Sequence, residues 1–235
     1  MSVNSALEQK AVVQQAMKPG WFIDSDSPSI QQFAEKHRGD KSDARNMSIA
    51  LYNAVRDQIY YDPYSIRPDP NSFRASAVLD ASKGHCVGKA VLYAAVLRAS
   101  GIPARIGFAD VRNHLTTPQL RKLMGSDMFY HHGYSEVWLN RRWIKATPAF
   151  NLSLCEKFGI LPLEFDGKED SIFHPFDSSG QKHMEYINDH GSHLDLPYDD
   201  MMAVYRRHYP AMFGENTEAL ARNFEEEAQA AEASI

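Results

Sequence analysis

The apolar positions Met47, Ile49, Ala50, Leu51, Ala54 and Val55 approximate a helical stripe and predict a helix from about Ser42 to Gln58. Ile59 and Tyr60 follow it, and Tyr61-Asp62-Pro63 closes it. Upstream, residues 4–17 read as helix up to the stop at Pro19-Gly20. Asp26-Ser27-Pro28 opens a second short helix that runs to about Lys36, with Ser27 as its cap and Pro28 in its first turn. Ile66–Ser72 reads as loop and 76–81 as a short helical approach. Ser82-Lys83-Gly84-His85 is a turn, and Cys86–Ser100 is a helix of good helix formers ended by Gly101 and Pro103. The pattern then changes period. Ala104–Ala109 reads as a strand, residues 110–129 as a polar excursion, and His132–Leu139 as a strand that turns at Asn140-Arg141 and returns over Arg142–Ala146. From Asn151 to about 200 the chain reads as loop, followed by helices at about 197–208 and 215–231.

Helices first, then a helix that begins on a cysteine, then antiparallel strands: this order predicts an α+β fold. The expected organisation is a single domain over 1–235. Its core is at about 42–155, with an N-terminal helical extension at 1–41 and a loop-rich, helical C-terminal extension at 156–235.

At 235 residues, 43% hydrophobic and 23% charged, the chain has the composition of an ordinary globular protein. A net charge of −5 gives no general attraction to nucleic acid or to an anionic membrane. No apolar run reaches the 18 or so residues of a membrane-spanning helix. The first twenty residues lack the basic start and apolar run of a secretory signal, so the expectation is a cytoplasmic protein. The two cysteines, Cys86 and Cys155, are accordingly expected as reduced thiols.

Chemistry enters with Cys86. It follows Lys83-Gly84-His85 at a helix start, where unpaired N–H groups and the helix dipole favour thiolate and offer donors to an oxyanion. Gly84 gives the turn its freedom and leaves room for a substrate. Most free cysteines are inert packing residues, so the thiol needs a partner to count as a nucleophile. His132 opens the strand His132-Gly133-Tyr134-Ser135-Glu136-Val137-Trp138, on which His132, Tyr134, Glu136 and Trp138 share a face by alternation. A lone histidine at a strand start is ordinarily a surface residue, and the combination carries the argument. His131 falls on the opposite face and reads as a flanking residue. The tail holds His183, Glu185, Asp189, His190, His193 and Asp195, a set able to bind a divalent metal but with no familiar ligand spacing.

The segment from about 47 to 150 resembles the transglutaminase-like superfamily, whose fold is shared in outline with papain. The resemblance rests on Leu51–Asp62, Gly84-His85-Cys86-Val87-Gly88-Lys89-Ala90 and Leu97-Arg98-Ala99-Ser100-Gly101-Ile102-Pro103-Ala104-Arg105. His132-Gly133-Tyr134-Ser135-Glu136-Val137, Trp143 and Thr147-Pro148 continue it in order. It implies a nucleophile helix packed on an antiparallel sheet, with Cys86 as nucleophile and His132 as base. The reaction implied is acyl transfer through a thioester, on a peptide, protein or small amide or ester, by hydrolysis or by transfer to an amine. Gly84, His85 and Tyr134 are the expected substrate-binding residues. No cofactor is implied: the Cys-x-x-Cys pair of the peptide-N-glycanase branch and the acidic calcium loops of the animal enzymes are missing from the sequence.

One element departs from the family. The position before Pro148, usually Asp, is Thr147, which can accept a hydrogen bond but carries no charge. Asn151 is the second candidate for orienting the imidazole, because papain-type enzymes use Asn there. Two other readings stay open: a catalytically weak scaffold that binds a peptide in this cleft, and a metal site in the His-rich C-terminal segment.

Overall fold

The computed structural model describes residues 3–113, 117–172 and 184–213, together with 224, 226 and 227. In chain order the elements are α1 (Val3–Gln15), α2 (Pro28–His37), α3 (Ala44–Gln58), β1 (Tyr60–Tyr61), α4 (Ala75–Ala81), β2 (Lys83–Gly84) and α5 (Cys86–Ala99). Next come β3 (Ala104–Asn113), α6 (Pro118–Met124), β4 (Met128–Leu139), β5 (Arg142–Ala146), α7 (Leu152–Lys157), β6 (Met184–His193) and α8 (Tyr198–His208). Short 3₁₀ turns occupy Pro63–Ser65, Pro70–Phe73 and Pro210–Met212.

The expected α+β layout is present. An antiparallel sheet in the order β5-β4-β3-β6 packs on α5, and α2, α3 and α4 cover the helix from its other sides. Helix α5 is buried from Cys86 through Arg98, as expected of a helix apolar all round. It approaches β4 so closely that a Cβ on Gly133 would lie 2.7 Å from the Val87 Cα, and Ser135 Oγ donates to the Ala90 carbonyl at 2.8 Å. The buried Lys89 donates from Nζ to the carbonyls of Arg56 (2.9 Å) and Ile59 (2.5 Å), at the C-terminal end of α3. Carbonyls there lack helical partners, so the ammonium satisfies groups that burial would otherwise leave unpaired.

Local chemistry explains the element ends. Asp43 caps α3 by accepting the Arg45 N–H at 2.9 Å. Ser27 makes no side-chain cap bond at α2, where Pro28 supplies the start. Asn140 and Arg141 both have positive φ (50° and 65°), the backbone of a tight β4–β5 hairpin. Arg98 joins three segments, donating to Ala104 O (2.9 Å), Lys18 O (2.6 Å) and Leu194 O. Glu136 is ion-paired to Arg105, whose guanidinium lies 4.3 Å over the Trp143 ring.

The terminal extensions are fastened to each other as well. The Asp195 carboxylate accepts the N–H groups of Trp21 (2.7 Å), Phe22 (3.2 Å) and Ile23 (3.0 Å). Gly20 leaves room for this, since a Cβ would meet the carboxylate at 2.5 Å.

Two expectations change. The polar excursion at 110–129 contains the end of β3, the start of β4 and α6, which is capped by Thr117 Oγ1 on Leu120 N–H and ended by Gly125 at φ 69°. The loop-rich segment supplies β6, a mostly exposed strand on the β3 edge. Most of the helix expected at 215–231 lies outside the described residues, of which 224, 226 and 227 are helical. Among the described residues no helix is long and apolar enough to cross a membrane.

Candidate functional site

The parallel pair β1–β2 sets Tyr61 opposite Gly84, so the chain enters α5 beside the Tyr61 ring. Cys86 is the first residue of α5, His85 is its N-cap, and β4 carries His132 alongside. Cys86, His85 and His132 line one pocket together with Tyr61, Pro63, Ile66, Leu120, Met124, Phe129, Tyr130, Tyr205, Tyr209 and Met212. It offers about 360 Å³ of space, part of it open to solvent. Two histidines and one thiol thus sit within walls that are otherwise aromatic and aliphatic.

Burial controls the electrostatics. Cys86 is only 6% exposed. Desolvation pushes its thiol up to about 11, against the pull of backbone hydrogen bonds from Gly133, Val87 and Cys86 itself. The depressed thiol expected of a helix start is therefore reversed: the helix-end donors are present, and loss of water outweighs them. Burial also lowers His85 to about 3, helped by the neighbouring His132. His85 Nε2 is buried without a hydrogen-bond partner, and its ring packs edge-on against Phe73 and Tyr205, at 5.2 and 6.5 Å. Cys155 is a free thiol outside this pocket, buried on α7 and pushed up to about 12 by desolvation.

Not every expected site residue gathers here. Tyr134 does not line the pocket. Its ring lies over β3 at Gly107, where any Cβ would overlap it, and its hydroxyl donates to Asp189 Oδ1 at 3.0 Å. Gly84 lines a separate cavity beside Phe73, Val78 and Lys83, which His85 touches from its other side. Thr147 Oγ1 is buried and makes no hydrogen bond, so the bond expected between it and His132 is not made. Thr147 takes part through its backbone, its carbonyl accepting from Tyr52 Oη at 3.0 Å and its N–H donating to Ser171 O at 2.9 Å. Asn151 does not orient the imidazole either. Its Oδ1 accepts the Tyr61 N–H (2.9 Å) and its Nδ2 donates to Ser153 Oγ (2.8 Å). His131 stays outside the pocket, against Phe108 and His190.

The walls are what the sequence reading missed. Tyr205 and Met212 come from α8 and the turn at Pro210–Met212, and Tyr209 joins the two. Tyr209 Oη accepts from the Tyr130 N–H and donates to the Met128 carbonyl at 3.0 Å, which ties this wall to β4. The C-terminal extension thus forms one side of the cleft, through α8 and the turn that follows it. Leu120 and Met124 arrive from α6, whose Thr117-Pro118 start and Gly125 stop were the available signal.

The model of the transglutaminase-like superfamily matches residues 31–148, which is half of the chain. No curated protein sequence matches. A crystal structure of a "putative cysteine protease" from Cytophaga hutchinsonii overlaps 77% of this chain and 54% of its own, with 19% identity and a TM-score of 0.45. The chain thus spans about half the length of that protein.

Proposed function

This chain belongs to the transglutaminase-like superfamily, and from that premise we propose that it is a cysteine-dependent acyl-transfer enzyme, with Cys86 as nucleophile and His132 as general base. One observation carries the reading: the only cysteine at a helix N-terminus and the strand histidine line the same pocket. In the proposed reaction His132 takes the thiol proton as sulfur attacks an amide or ester carbonyl. The N–H groups at the start of α5 hold the oxyanion. The C–N or C–O bond breaks, the leaving group takes the proton from His132, and an acyl thioester remains on Cys86. Water or an amine, deprotonated by His132, then attacks the thioester and returns the thiol. The lining chooses the acyl donor: among the described residues that form it, ten of thirteen are aromatic, aliphatic, Met or Pro and none is Asp, Glu, Lys or Arg, so it accommodates an apolar or aromatic group beside the reacting carbonyl.

The assay is a panel of peptide, ester and amide substrates with apolar or charged acyl groups, with and without an added amine, run on the native chain and on Cys86→Ala and His132→Ala. Turnover of the apolar members, lost in both variants while circular dichroism is retained, is the expected result. Turnover that persists in Cys86→Ala removes the assignment.

A second reading is favoured by the raised thiol and by the missing bond at Thr147: the same cleft binds an apolar peptide without turning it over. Saturable binding of the panel peptides with no acyl-enzyme detectable by mass spectrometry selects it.

A further inference from the structure

The sheet is deformed at one place on both sides of a single residue. Opposite Ala109–Val111 of β3, β4 runs from His132 to Phe129 and holds one residue more. On the other side β6 carries an extra residue opposite Gly107–Ala109 and another opposite Asp110–Val111. Bulges re-aim side chains. These bring His131 from β4 and His190 from β6 onto Asp110 between them. His131 adopts φ 52°, a left-handed conformation that disfavours a residue with a Cβ.

We infer that Asp110, His131 and His190 form a binding site for one divalent first-row transition cation, with Zn²⁺ the best match to the donors. Ligand atoms from the three side chains all lie within 4.8 Å of one another. Asp110 Oδ2 is 2.8 Å from His190 Nε2 and Asp110 Oδ1 is 3.9 Å from His131 Nδ1. Donors on tetrahedral zinc at bond lengths near 2.0–2.1 Å are about 3.3 Å apart, a value these two separations bracket. The imidazoles face each other, with centroids 4.4 Å apart and ring planes tilted by 32°. An aspartate–histidine hydrogen bond accounts for His190. It leaves the His131 side chain unexplained: the His131 backbone N–H donates to Asp110 Oδ1 at 3.1 Å, while Nδ1 is buried beside the same carboxylate with no hydrogen-bond partner.

Two imidazoles and a carboxylate suit zinc and leave a fourth position for water, and His190, with 29% of its side chain exposed, lies on the solvent side where an ion enters. The three ligands stand outside the Cys86 pocket, so the ion is a clamp rather than a participant in acyl transfer. It would fasten the edge strand β6 to β3 and β4. It would also fix the backbone immediately before His132, where the His131 carbonyl already accepts the Tyr205 hydroxyl of α8 at 3.3 Å.

The full chain, stripped with a chelator and titrated with Zn²⁺ in a calorimeter, tests this. A Cys86→Ser background is used in parallel, because a thiol and an imidazole in one pocket also bind zinc. One ion per chain at micromolar affinity or tighter, with a raised thermal midpoint in both backgrounds, is expected. His190→Ala, on the exposed edge, and His131→Ala should each weaken binding on the order of a hundredfold or more. Cobalt substitution should give tetrahedral d–d bands with no sulfur-to-cobalt charge-transfer band. No saturable binding, affinity unchanged in both histidine variants, or a thiolate band that disappears with Cys86→Ser overturns the site.

Discussion

The Asn151 side chain holds the wall of the pocket: its Oδ1 accepts the backbone N–H of Tyr61 at 2.9 Å, across ninety residues of sequence. Tyr61 ends β1, Asn151 is the N-cap of α7, and both are buried. The residue that papain-type enzymes use to orient a base here positions an aromatic ring beside the thiol.

This division of labour is measurable. Asn151→Ala leaves a buried N–H without an acceptor and should lower stability by about 1–3 kcal/mol. Asn151→Asp keeps an acceptor and should lose less. The pH midpoint of Cys86 alkylation should stay where it is in the wild-type chain, whereas an orienting role would shift it. Denaturant unfolding and alkylation rates on the same samples separate the two.

Thiol reactivity follows from burial. With the Cys86 thiol near 11, most of it is protonated at pH 7, and its iodoacetamide rate should climb through pH 9–10 without a plateau. Cys155, pushed up to about 12, should label more slowly still. Tyr209→Ala removes a wall of the pocket, readmits water to the sulfur and should speed labelling of Cys86 at pH 7 by about tenfold, the equivalent of one unit of pKa. Peptide mapping of the label gives both rates. A plateau below pH 8 in the wild-type chain contradicts the account of a buried, desolvated thiol.

The readability of the sequence varied with what each element faces. Helix α5 and the β4–β5 hairpin were legible because their apolar runs end in a helix-stopping Gly101 and a tight Asn140-Arg141 turn. Strand β6 was not, because Met184–His193 is a mostly exposed edge whose polar residues carry no apolar alternation. In the site, Cys86 and His132 stood out through their motif neighbours, whereas Tyr205, Tyr209 and Met212 reach the pocket from more than a hundred residues beyond Cys86. Tyr134 misled because its neighbours Gly133 and Ser135 pack on α5, so its ring falls on the other face of the sheet, over the bare backbone of Gly107 and away from the cleft.

Stability should fall in acid through His85. Its unfolded imidazole titrates near 6.5 and the folded one near 3, so the folded state favours the neutral form. That stability is fully present above pH 6.5 and is lost as pH falls toward 3. At about 1.4 kcal/mol per pH unit, the wild-type chain should lose roughly 2 kcal/mol more between pH 7 and pH 5 than His85→Asn, which has no titrating group there. Urea unfolding of both proteins at the two pH values tests this. Equal losses would mean that His85 is solvated.

Thr147 decides how far this chain has moved from a three-residue catalytic arrangement. Its hydroxyl is buried with no hydrogen-bond partner, while its backbone is fixed by Tyr52 and Ser171, so the side chain can be altered without moving the strand. Removing an unsatisfied buried hydroxyl recovers its desolvation penalty, so Thr147→Val should leave stability unchanged or raise it by up to about 1 kcal/mol. If the hydroxyl does not hold the imidazole, the same variant should change the rate of Cys86 alkylation less than twofold at every pH. Thr147→Asp brings a carboxylate to the position the family reserves for one. Should that carboxylate reach the imidazole, it favours imidazolium and with it the thiolate, and the alkylation profile moves to lower pH. Should it fail to reach, the buried charge has no partner, the protein loses several kcal/mol, and the profile stays put. A Thr147→Val profile displaced from wild type would instead give the hydroxyl a role the ground-state geometry does not contain, that of a bond made only when His132 carries the proton.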